Sequence, residues 1–345
     1  FFSEILIYLD IMRATSLFVL SIATVLNARS PSYQPVAKVA HPQAIKARAT
    51  FVLQDDYQGE AFFNDFDFFT EPDPTSGLVN YQNKENAISK GLAFVENGVT
   101  VLAVDNTNTV PTGSNRDSVR IESKKMYGKG LFIADFEAMP FGCSTWPAWW
   151  SYSFTDYPAG GEIDVIEGVH NQPYNDMTFW RAGGQCNFPA SALAGTADIV
   201  DQAKCASTTT EQESCGFQDE RSGVFGSEFN RNGGGVYAHL VSDEGISIWY
   251  FPRNAIPGNI ASKNPDPSTW GTPAAQWKSN NCNISQHVRN HKLVINTTLC
   301  GSWAGDPDAW RGSGCPGTCE GTVANPKNFD NARWRIRSVS VYQQQ

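Results

Sequence analysis

No stretch of this chain approaches the ~20 consecutive apolar residues that a membrane-spanning helix needs. Basic charge is scarce: 26 Lys and Arg against 35 Asp and Glu leave a formal charge of −9, which argues against nucleic acid or an anionic membrane surface as the main partner. The GxSxG elbow of serine hydrolases and the GxxxxGK[ST] phosphate loop are both absent, so those readings have no starting point. A zinc site lacks its ligands, because Cys315 and Cys319 have neither a second close pair nor a nearby histidine to complete a tetrahedron. Gly312-Ser313-Gly314-Cys315-Pro316-Gly317 matches GxGxxG, but it neither follows a strand nor opens a helix, and Pro316 interrupts it. After Thr50 there is no long helical periodicity, repeat or low-complexity block.

What is there begins with a leader. Met12-Arg13 followed by the apolar run Leu17–Leu26, with Ala28 at a plausible cleavage point, predicts a secretory signal over residues 12–28. Residues 1–11 then read as an extension before the true start. Residues 29–48, with Pro31, Pro35 and Pro42, read as a propeptide or flexible linker. Eight cysteines suit an oxidising compartment and predict disulfides with no free thiol. In a secreted chain, Asn283-Ile284-Ser285 and Asn296-Thr297-Thr298 are glycosylation sequons.

From residue 49 to 345 short alternating runs dominate, among them 118–122, 130–136, 246–251, 292–296 and 334–342, separated by Gly, Pro, Asn and Asp clusters. This is the pattern of an all-β sandwich in one domain. Residues 186–235, rich in Gly, Ser and Thr, read as long disulfide-tied loops over the active face, with a second small domain as the alternative. His287 and His291 read as surface or loop residues rather than metal ligands.

The run Gly161-Glu162-Ile163-Asp164-Val165-Ile166-Glu167-Gly168 carries the chemistry. Its β-branched residues favour a strand, whose alternation turns Glu162 and Asp164 one way and Ile163 and Val165 into a core. Glu167 stands at an odd offset from Glu162, and a β-bulge near Val165-Ile166 would restore it to the acidic face. Two glutamates and a helper aspartate on one face are the equipment of a retaining glycosidase. An acidic strand edge or a calcium site is the plainer alternative. Ten tryptophans add apolar planes on which sugar rings can pack. Trp146 and Trp150 stand an even offset apart and so share a strand face, and Trp249 and Trp303 follow later.

Asp73 to Tyr81, Ser118-Val119-Arg120-Ile121, Met139 to Cys143, Thr145 to Trp150, Gly161 to Gly168, Asn232 to Gly235, Phe251 to Asn254 and Cys300 to Gly305 occur in one order. Together they resemble the secreted fungal branch of glycoside hydrolase family 16, the laminarinase-like endo-β-1,3(4)-glucanases, from about residue 50 to Tyr342. The resemblance implies a concanavalin-like β-jelly-roll sandwich with a concave substrate cleft, acting on β-1,3- and mixed-linkage β-glucan as a secreted monomer without cofactor or metal. The alternatives are a transglycosylase or a hydrolase of another β-glycan on the same site, or a glycan-binding jelly roll with weakened catalysis. It makes Glu162 the nucleophile, Glu167 the general acid/base and Asp164 the residue that tunes the nucleophile. Asn80, Arg120, Trp146, Trp150 and Trp303 would line the glucose subsites. There is one departure. Where the branch reads Met-Thr-Leu-His-Thr, this chain reads Met177-Thr178-Phe179-Trp180-Arg181, which puts an indole that can donate or stack in the histidine's place.

Overall fold

The computed structural model describes residues 50–182 and 186–345; the expected extension, signal and propeptide lie outside the described residues. The predicted alternating runs are strands. Two large sheets face each other, and every pairing within them is antiparallel. The eight-stranded sheet runs in the order Asp198–Val200, Glu213–Asp219, Asn175–Arg181, Glu162–Glu167, Thr145–Ser153, His291–Leu299, Arg120–Ser123, Phe66–Phe68. The nine-stranded sheet is centred on Gly130–Ala138 and Arg333–Gln344, with Phe51–Tyr57 paired to the latter. This is the jelly-roll sandwich expected from the sequence. No described helix exceeds six residues, and none is long and apolar enough to cross a membrane.

Alternation decides which side chains meet between the sheets. Ile163, Val165, Trp149, Phe179, Phe217 and Ile295 from one sheet pack with Phe136, Tyr237, Ile248, Trp334 and Ile336 from the other, all buried. Removing each large side chain from water contributes roughly 1.5–3 kcal/mol, so this layer is the main source of cohesion. All eight cysteines pair, as 143–315, 186–282, 205–215 and 300–319, in agreement with the expectation of no free thiol.

Two expectations are corrected. Residues 186–235 are more than loops: Glu213–Asp219 and Asp198–Val200 extend the eight-stranded sheet, and Leu193–Ala194 and Gly235–Ser242 join the other. Cys215 and Phe217 point into the core while Ser214, Gly216 and Gln218 face the cleft, an alternation hidden by small residues. His287 and His291 are not surface residues, being only 7% and 2% exposed. The His291 ring finds interior partners in the Ser151 hydroxyl (2.9 Å) and the Gly160 carbonyl (2.8 Å), and His287 lies against the Cys186–Cys282 bridge. Burial holds His291 well below the ordinary imidazole value, at about 4.

Candidate active site

The acidic strand Glu162–Glu167 lies between Thr145–Ser153 and Asn175–Arg181. Against the first neighbour, Glu162 is opposite Tyr152, Asp164 opposite Trp150, Ile166 opposite Trp149 and Glu167 opposite Ala148. The neighbour advances one residue where the acidic strand advances two, so a β-bulge sits at Val165, where the sequence predicted one. It brings all three acids onto the cleft face and leaves Ile163, Val165 and Ile166 buried.

The register extends this into rows that cross the strands. One row is Lys292, Tyr152, Glu162, Trp180, Ser214; the next is Glu122, Val294, Trp150, Asp164, Thr178, Gly216; the third is Arg120, Asn296, Ala148, Glu167, Asp176, Gln218. Over them lies a cavity of about 900 Å³ whose lining includes all three acids, Arg120, Trp146, Trp150, Trp180 and Trp303. The face is therefore acidic in the middle and aromatic on both flanks.

Local contacts set the acids apart. The Trp146 indole donates to Glu167 Oε1 at 2.9 Å and meets Trp303 edge-on at 5.4 Å. Desolvation pushes Glu167 up to about 8, reinforced by the charges of Glu162 and Asp176 and opposed by Trp146. Desolvation also raises Glu162, to about 7, while hydrogen bonding from Tyr157 and the charge of Arg120 act against the rise. Asp164, fully enclosed, is raised well above the carboxylate range, with the charges of Glu167 and Glu162 adding to desolvation. Its Oδ2 has no hydrogen-bond partner, and hydrogen bonding to the Trp180 side chain opposes the rise. The residue in the expected histidine's place thus acts on Asp164 as a donor.

A polar rim fixes the aromatic planes. Arg120 clasps Glu122 Oε1 through Nε (3.1 Å) and Nη2 (2.8 Å) and lies over the rings of Phe69 and Trp150. The Trp150 indole donates to Asn296 Oδ1 at 2.7 Å. The Tyr157 phenol accepts from Gln212 Nε2 at 2.8 Å, which leaves its own hydrogen for Glu162.

Asn80 stands outside the residues that line this cavity: Val79 and Tyr81 are buried, so Asn80 turns outward and donates to Asp117 Oδ1 at 2.8 Å. Two other sequence expectations fail here. Trp249 lies behind the nine-stranded sheet, packed on Trp270 and bonded to the Gly271 carbonyl. Asn296, counted as a glycosylation sequon, is 7% exposed and its amide is engaged by Trp150 and Tyr81, so it is cleft floor. Sequence reasoning also missed Asp176 and Tyr157. The alternation Asp176-Thr178-Trp180 carried a usable signal for the first; the second sits on a loop with none.

Comparison with known proteins agrees with this geometry. The XgeA-like catalytic GH16 domain family matches residues 66–342. An endo-1,3(4)-beta-glucanase of Arthroderma benhamiae is 41% identical over 309 residues, covering 86% of this chain but only 65% of that protein. Among solved structures, laminarinase 16A from Phanerochaete chrysosporium, with 6-O-glucosyl-laminaritriose in its donor and acceptor sites, is 41% identical with a TM-score of 0.80, over 86% of this chain and 100% of that one. An elongating family 16 β-1,3-glucosyltransferase is 36% identical with a TM-score of 0.76, over 85% and 100% of the two chains. With a family match over most of its length and a bulged strand of three acids on an aromatic-lined face, the chain belongs to glycoside hydrolase family 16.

Proposed function

We propose that the protein is a secreted, retaining endo-β-1,3(4)-glucanase that hydrolyses β-1,3- and mixed-linkage β-glucans. The observation that carries this reading is the row of Glu162, Asp164 and Glu167 on the cleft floor, brought together by the bulge. Glu167, with the more raised of the two glutamate pKa values, holds the proton that passes to the departing glycosidic oxygen. Glu162, beside Tyr157 and Arg120, is the better stabilised as an anion and attacks the anomeric carbon to form a glycosyl ester. Ionised Glu167 then takes a proton from the water that cleaves the ester. Asp164 lies between them and orients Glu162. Arg120, Trp146, Trp150, Trp180 and Trp303 present planes and donors to the sugar rings on either side. Paired cysteines support export directed by residues 12–28, with the domain working as a monomer.

The test is reducing-sugar release from laminarin, barley mixed-linkage glucan and cellulose, with the anomeric form of the first product followed by NMR. Release from the first two with β-product appearing first is expected. No release, or α-product first, overturns the reading. A second outcome of the same intermediate, transfer to another glucan in place of water, is favoured by the likeness to an elongating glucosyltransferase. Products longer than the substrate would show it.

The Tyr157 contact makes a separate prediction. Removing a hydroxyl that stabilises the Glu162 anion raises that carboxyl's pKa, so the acidic limb of kcat/KM in Tyr157→Phe should move to higher pH. A pH–rate profile on laminarin checks the shift; an unmoved acidic limb would count against the contact.

A further inference from the structure

The bulge that presents Glu167 has a backbone cost. Against Asn175–Arg181, pairing jumps from Asp164–Thr178 to Glu167–Asp176, so two residues of the acidic strand share one opposite position. Such an insertion disrupts the ladder locally, and backbone groups stranded away from water need other partners. Asn175 supplies them. Its side chain is fully buried; its Oδ1 accepts from the Glu167 N–H at 3.0 Å and its Nδ2 donates to the Val165 carbonyl at 2.9 Å. The two bonds span the bulge from both sides, and Asn175 is itself held by pairing with Asp219. A side chain with one donor and one acceptor in a fixed plane is required, which asparagine meets and aspartate does not.

We infer that Asn175 is a positioning residue that locks the bulge and thereby sets Glu167 as proton donor. The inference rests on the reading of Glu167 as the acid. Without the clamp, the strand can revert toward regular pairing, and period-2 alternation would then turn Glu167 away from the glycosidic oxygen. Glu162, on the other side of the bulge, keeps its register opposite Tyr152 and Trp180. The expected defect is therefore confined to proton transfer.

Substrates with different needs for a proton separate this role from general damage. Asn175→Ala should lower kcat/KM on laminarin by about 10²–10³, the usual scale for lost general-acid help. On a 2,4-dinitrophenyl β-laminaribioside, whose leaving group departs unprotonated, kcat/KM should stay within about threefold of wild type. The kcat on this substrate, limited by hydrolysis of the glycosyl ester, should fall, and azide should restore it by replacing the water that Glu167 would activate. Asn175→Asp, which keeps the acceptor for Glu167 N–H but loses the donor, should show the same pattern to a lesser degree and serves if the alanine variant does not fold. Equal losses on both substrates, or wild-type activity on laminarin, would overturn the inference. Glu167→Ala run alongside tells the two ideas apart: if it too loses both substrates equally, the acid assignment is at fault rather than the clamp.

Discussion

Glu162→Ala should reduce glucan hydrolysis by at least about 10⁴-fold while the folded protein still binds laminari-oligosaccharides, because it removes the carboxylate that forms the glycosyl ester. Azide should rescue this variant with an α-glycosyl azide, since the small anion enters the space vacated by the carboxylate. In Glu167→Ala, azide should instead give a β-glycosyl azide, because the intermediate still forms on Glu162 and is intercepted from the opposite face. The stereochemistry of the two adducts thus assigns the roles independently of rate. Two azides of the same configuration would refute the division between nucleophile and acid, and full activity in both variants would refute the site.

Arg116→Met is expected to cost about 3–5 kcal/mol of stability, the scale for breaking a buried charged network by removing one member. Arg116 is fully buried and donates to the carbonyls of Val323, Asp105, Asn108 and Ala324, with Asp105 as its counter-ion at 3.3 Å. It ties the turn after Val99–Ala103 to the C-terminal helix Cys319–Ala324. Methionine fills the volume but leaves these acceptors without a donor. In a domain of this size the loss should appear as a melting temperature lower by roughly 10 °C in calorimetry. A shift below about 2 °C would mean that water satisfies the carbonyls and that the arginine is dispensable.

How much of this was legible depends on how local the cause is. Alternation is written within a strand, so the sandwich, the shared face of Trp146 and Trp150 and the bulged acidic strand could be read from neighbours alone. Cysteine pairing was not, since 143–315 and 186–282 join distant segments whose meeting depends on the whole fold. Trp249 and Asn296 failed for a related reason: which face of a sheet looks into the cleft is set by the other sheet, not by the strand. The strand Glu213–Asp219 escaped because glycine and serine on its cleft side carry no hydrophobic contrast. Asn175 carries no local signal within its strand, and only the register shows that it completes a ladder.

The enclosed acids also make this fold a store of protons. Glu162, Glu167 and Asp164 all bind protons more tightly in the folded chain than carboxyl groups do in an open one. Unfolding at neutral pH must therefore release protons, and stability falls as pH rises from the ordinary carboxylate range through about 7 and 8, where Glu162 and Glu167 ionise in the folded state. The sign is opposite to that of the salt-bridged carboxylates whose loss drives common acid denaturation. Alkali, more than acid, is the direction in which this cleft strains its own scaffold. The features that ready the site for glycosidic cleavage are held there by the sandwich against the tendency of its acids to ionise in water.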